Sequence, residues 1–69
     1  MNNISNKELN YIKDYLSWEL LMAKKCFEYS NEVQIQNIKG LFDQAGKIHQ
    51  QNYQVTLNYL GQVSQEVNS

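Results

Sequence analysis

Two lines of residues advance through this chain by alternating steps of 3 and 4. The first is Leu9, Ile12, Leu16, Glu19, Ala23, Cys26 and Ser30; the second is Ile35, Ile38, Phe42, Ala45, His49, Asn52, Thr56, Tyr59 and Val63. Such steps keep side chains on one stripe of an α-helix, whereas a strand needs a period of two. The sequence contains no proline to break either line. Two long helices are therefore expected, and the fold class is all-α.

Local signals place the helix ends. Ser5 and Glu8 have the S-x-x-E spacing of a capping box, and Ile4 and Leu9 stand where a hydrophobic staple would close over it. Helix 1 is predicted over residues 6–30. Asn31 and Gln34 read as a second box of the N-x-x-Q type, so helix 2 is predicted over 32–62, with Gly61 as a candidate C-cap. Gly40 and Gly46 fall inside helix 2, where each costs roughly 1 kcal/mol relative to alanine; close helix approach or simple tolerance accounts for them. A connection this short makes antiparallel neighbours. Residues 1–69 form a single helical hairpin in this reading.

A hairpin alone leaves too much uncovered. The 69 residues fall below the roughly 70–80 at which one core suffices without a staple. A single cysteine gives no internal disulfide. Helix 1 carries a further row, Tyr11, Tyr15, Trp18, Met22 and Tyr29, which one neighbouring helix cannot cover along with the first line. Aromatic residues with polar tips suit a subunit interface. Helix 2, at ~45–50 Å, should also outrun helix 1, at ~36 Å, and leave Leu57, Leu60 and Val63 uncovered near its end. Two hairpins about a two-fold axis would cover both regions as a four-helix bundle. The expected interface residues are Tyr11, Tyr15, Trp18, Met22, Leu57, Leu60 and Val63, and the expected partner is a second copy in a homodimer.

Charge and composition disfavour several functions. The net charge is −1, with six lysines and no arginine, against the basic excess of a nucleic-acid binder. The longest apolar run, Leu20 to Ala23, is far short of a membrane span. No basic segment followed by an apolar core opens the chain, so the expected compartment is the cytoplasm. Cys26 reads as a small buried hydrophobe. Asp43 with Lys47, and the Lys24–Lys25 pair with Glu28, read as exposed helix pairs. Nucleophile elbows, phosphate loops and His-Asp-Ser sets are absent, so no catalytic residue is expected.

Only Glu19 and His49 place ionisable groups on core positions. Di-iron bundles draw an inward Glu from one helix and a Glu-x-x-His from its neighbour. Here Gly46 stands where the second Glu would be. Glu19 and His49 are the weak metal candidates, although two pairs in a dimer could in principle hold one zinc ion. Neither metal nor cofactor is expected. Counted outward from the connection, the two lie within about one helical turn of each other, so a hydrogen-bonded pair is the modest expectation.

The segment from Lys7 to Glu19, the Lys-Lys-x-Phe stretch from Lys24 to Phe27, Ile38 to Phe42, Ile48-His49 and Asn58-Tyr59-Leu60 together resemble the small clostridial spore coat F (ferritin-like) proteins. The resemblance spans roughly residues 7–62. It implies a ferritin-like helical fold, no enzymatic activity, and a structural, sporulation-associated role, with other coat proteins as further partners and the spore coat as a further location. Three other functions remain open on the residues: an adaptor or regulator that binds a partner protein through its Tyr/Trp face, a metal-binding or redox bundle, and a Rop-like RNA-binding dimer.

Overall fold

The computed structural model describes the backbone of residues 4–68 and the side chains of residues 4–63. Two antiparallel helices account for nearly all of it: α1, Asn6–Glu32, and α2, Gln36–Asn68. No strand occurs among the described residues.

Helix α1 begins as its sequence dictates. Ser5 is the N-cap in extended conformation, and its hydroxyl accepts the Glu8 backbone N–H at 3.1 Å. Glu8 Oε1 accepts the Ser5 backbone N–H at 3.1 Å and the Ser5 hydroxyl at 2.8 Å. These bonds to the ionised form hold the Glu8 carboxyl below its ordinary value, with the Ser5 hydroxyl as the larger cause and the Ser5 N–H the smaller.

The connection departs from expectation. Asn31 lies within the last turn of α1 and Gln34 lies in the linker, so the second capping box does not form. Nothing local stops α1 at Ser30. It ends instead where Val33 becomes extended while still donating its N–H to Tyr29 O at 3.0 Å. Helix α2 starts when Lys39 N–H reaches the Ile35 carbonyl at 2.9 Å. At the far end α2 runs through Gly61 without a left-handed residue, so Gly61 is not a C-cap.

The expected inner line of α2 is also shifted by one residue at alternate positions. Ile35, Ile38 and Tyr59 are exposed. The positions turned toward α1 are Lys39, Phe42, Gly46, His49, Tyr53, Thr56, Leu60 and Val63, all at least half-buried. They keep the 3–4 spacing, with 39, 46, 53 and 60 taking the places of 38, 45, 52 and 59.

The contact between Glu19 and His49 sets the register of the pair. About four turns along both helices from it, Val63 stands level with Ser5 at the start of α1. The overhang expected at Leu57–Val63 is therefore corrected, because α1 runs alongside all of that segment. Val63 is only 5% exposed and Leu60 is half-buried, both on the inner line.

The interior is narrow. Its buried residues are Leu16, Glu19, Ala23, Cys26, Ser30, Gly46 and Val63, and no large side chain among the described residues is fully buried. Gly46 permits the closest approach. A Cβ placed there would lie 2.8 Å from the Phe27 ring, whereas one at Gly40 or Gly61 would meet nothing. The Cα atoms extend 50 × 18 × 12 Å, a plate about one helix thick.

Candidate functional site

Polar groups lie along the inner line at two levels. Midway, His49 Nδ1 approaches Glu19 Oε1 at 3.0 Å and Oε2 at 3.2 Å. A carboxylate only accepts, so Nδ1 carries the proton and donates it to Glu19. The side chains are 11% exposed for Glu19 and 28% for His49, so the pair lies at the edge of the interior. The expectation that these two residues would meet is met directly.

The pair offers one carboxylate and one imidazole nitrogen, Nε2, per chain. No group of three or more His, Cys, Asp or Glu side chains comes together among the described residues. The Phe27 ring covers Gly46 and leaves no room for a carboxylate-bearing side chain. These donors do not fit a carboxylate-bridged di-iron centre. Buried Cys26 lies on the same inner line of α1 as a compact filler.

Near the connection, the Ser30 hydroxyl donates to Asp43 Oδ1, and the Ser30 carbonyl accepts the Lys39 ammonium. Ser30 is 2% exposed. Lysine thereby satisfies a carbonyl that the end of α1 would otherwise leave unpaired. Asp43 thus turns to Ser30 across the hairpin, instead of acting as the exposed partner of Lys47. The i, i+4 spacing of Lys39 and Asp43 was the available signal, since it puts both on one side of α2. Lys25 and Glu28 do pair on the exposed surface, at 4.0 Å.

The larger feature is an exposed apolar side. Tyr11, Tyr15, Trp18, Met22 and Tyr29 each immediately precede an inner residue of α1. Ile38, Leu41, Ala45, Ile48, Val55 and Tyr59 do the same on α2. One residue is a 100° rotation, and in antiparallel helices the same offset turns both rows to the same side of the plate. The Tyr29–Phe42 ring contact, with centroids 5.3 Å apart, joins the two helices on that side. Trp18 and Leu41 are each 64% exposed, and Ala45 alone of these residues is half-buried. Residues that follow inner positions make the opposite side: Lys13, Ser17, Leu20 and Lys24 on α1, and Lys47, Gln50, Gln54 and Leu57 on α2. Of the expected interface residues, Tyr11, Tyr15, Trp18 and Met22 thus share one side, whereas Leu57 lies on the other and Leu60 and Val63 are inside. On α2 the sequence shows Leu41, Ile48, Val55 and Leu60 flanking the expected inner line, but sequence reasoning did not assign the first three to the interface.

Over 57 residues the chain is 37% identical to the uncharacterized protein YuzM of Bacillus subtilis (strain 168), an alignment covering 83% of this chain and 70% of that protein. The chain belongs to the YuzM family. No family model and no solved structure matches it. The YuzM-family hairpin described here has no helix long and apolar enough to cross a membrane among its described residues.

Proposed function

We propose that this chain is a non-enzymatic structural protein that acts by assembling with copies of itself through helix packing. The observation that supports this reading is the inversion of side-chain size across α1. The small Ala23, Cys26 and Ser30 line the interior together with Leu16 and Glu19, while the larger Tyr11, Tyr15, Trp18, Met22 and Tyr29 stand outside. Soluble monomers rarely expose a contiguous apolar patch of this extent without using it. The proposed assembly unit is a homodimer in which two hairpins form a ferritin-like four-helix bundle.

The resemblance to spore coat F proteins supports a setting in the spore coat, reached from the cytoplasm in which the chain is made. A fluorescent fusion followed through a sporulation time course tests the setting. Expression confined to sporulation and signal at the spore surface are expected; constitutive, diffuse signal contradicts it. Sedimentation velocity at tens of micromolar tests assembly itself. A mass at least twice 8.1 kDa is expected. A folded species of 8.1 kDa would turn the Tyr/Trp side into a docking face for another protein, the adaptor function.

A further inference from the structure

We propose that a second copy of this chain docks face to face on the side bearing Tyr15, Trp18, Met22, Ile38, Ile48 and Tyr59. This rests on the self-assembly reading above and names the surface that carries it.

Three observations select this side and this occupant. The first is spacing. On α1 the rows run Tyr11, Tyr15, Trp18, Met22, and on α2 Ile38, Leu41, Ala45, Ile48, in steps of 4 and 3 like those of the inner lines. A 3–4 stripe is the shape a neighbouring helix fills. Each helix therefore carries two adjacent stripes about 100° apart, as a helix with two neighbours in a four-helix bundle requires.

The second is area. A compact chain of 8.1 kDa should expose roughly 4,500 Å². This one exposes 5505 Å². The excess of about 1,000 Å² exceeds the ~800 Å² that each partner buries in a standard interface. The radius of gyration, 15.6 Å, exceeds the ~11 Å of a compact chain this long in the same sense. Stacking two plates one helix thick reduces both discrepancies.

The third is charge. An anionic bilayer would need lysines around the apolar side. Lys13, Lys24 and Lys47 follow inner positions and so face away from it; only Lys25 and, at its edge, Lys7, whose Nζ lies 5.9 Å from the Tyr11 ring centroid, share it. A second copy brings a matching, largely apolar surface by construction. The Glu19–His49 pair lies near the middle of both apolar rows. Whether the two connections end up at the same end or at opposite ends, it stands level with its copy.

Sedimentation equilibrium of the wild type, Ile48→Glu and Leu20→Glu tests the assignment, with iodide quenching of Trp18, the chain's one tryptophan, as a readout that needs no variant. Ile48 is on the proposed side and Leu20 on the opposite one. The wild type should be dimeric, with Trp18 shielded at high concentration and quenched freely on dilution. Ile48→Glu should weaken self-association by at least about 100-fold, and Leu20→Glu by less than about threefold. If Ile48→Glu fails to fold, the Trp18 readout decides. A dimer whose Trp18 is quenched like free indole, or one weakened equally by both substitutions, would overturn the face while leaving self-assembly intact. A folded monomer would overturn both.

Discussion

The two broad sides of this hairpin are built from neighbouring residues of the same helices and differ in almost every property. One side, made by residues that precede the inner positions, holds Tyr11, Tyr15, Trp18, Met22, Leu41, Ile48 and Val55. The other, made by residues that follow them, holds Lys13, Ser17, Lys24, Lys47, Gln50 and Gln54, with Leu20, the half-buried Phe27 and Leu57 as its apolar members. Single exposed leucines are ordinary; two aligned apolar rows are not. The difference teaches that the helices are patterned for two neighbours, of which the hairpin supplies one.

The largest effect expected from testing this contrast is that of a charge placed on each side. Trp18→Glu should cost several kcal/mol, because its carboxylate would be desolvated without a partner in the assembly. The same charge at Ser17, next in sequence but on the polar side, should change stability by less than about 0.5 kcal/mol. Chemical denaturation of both variants at one protein concentration checks this. Equal, small effects would break the comparison.

The Glu19–His49 pair sits between the two sides, and its energetics sharpen the picture. His49→Ala leaves a largely buried carboxylate without its donor and should cost about 1–3 kcal/mol. Replacing both residues, as Glu19→Leu with His49→Leu, should recover much of that loss, since paired polar groups can be exchanged for apolar ones nearly neutrally. A double-mutant cycle in urea measures the coupling. A double variant no more stable than His49→Ala would contradict the account.

The glycines separate close packing from tolerance on one helix. Gly46→Ala drives a methyl into the Phe27 ring and should destabilise by about 1–3 kcal/mol. Gly40→Ala meets nothing and should stabilise by up to about 1 kcal/mol through helix propensity. Thermal melts of the two variants should shift in opposite directions.

How much of this was legible in the sequence depends on range. The start of α1 was readable because Ser5, Glu8 and Leu9 satisfy one another within a single turn. The inner line of α1 was readable because the Tyr and Trp residues beside it differ in kind and mark a separate stripe. On α2 the two stripes merge. Lys39 and Gly46 are not apolar, so the apolar Ile38 and Ala45 beside them read as the line between Phe42 and His49. The apparent line therefore took 38, 45, 52 and 59 where 39, 46, 53 and 60 face the partner helix. Asn31 and Gln34 had the spacing of a cap with nothing to end α1 at Ser30. The Ser30–Asp43 bond joins the helices across the connection, and no local pattern announces it. Glu19 and His49 could be brought within a turn of each other by counting, but only the register of the folded pair puts Nδ1 on the carboxylate.

The smallest expected effect lies at the N-cap, remote from the contrast between sides. Glu8 has its carboxyl held below the ordinary value near 4.5 by the Ser5 hydroxyl and N–H. A lowered folded value means that the box contributes stability above the unfolded value and loses it as pH falls through the folded one. Amide exchange in the first turn of α1 should therefore accelerate, relative to the rest of the helix, only below about pH 4.5. Ser5→Ala should remove that dependence.

Small-angle scattering across a concentration series tests the central claim most directly, because it returns mass and shape together. Side-by-side packing of two hairpins predicts twice the mass of one 8.1 kDa chain, with the longest dimension staying near the 50 Å of a single plate. A cooperatively folded 8.1 kDa particle at every concentration, or a dimer elongated toward twice that length, would contradict it.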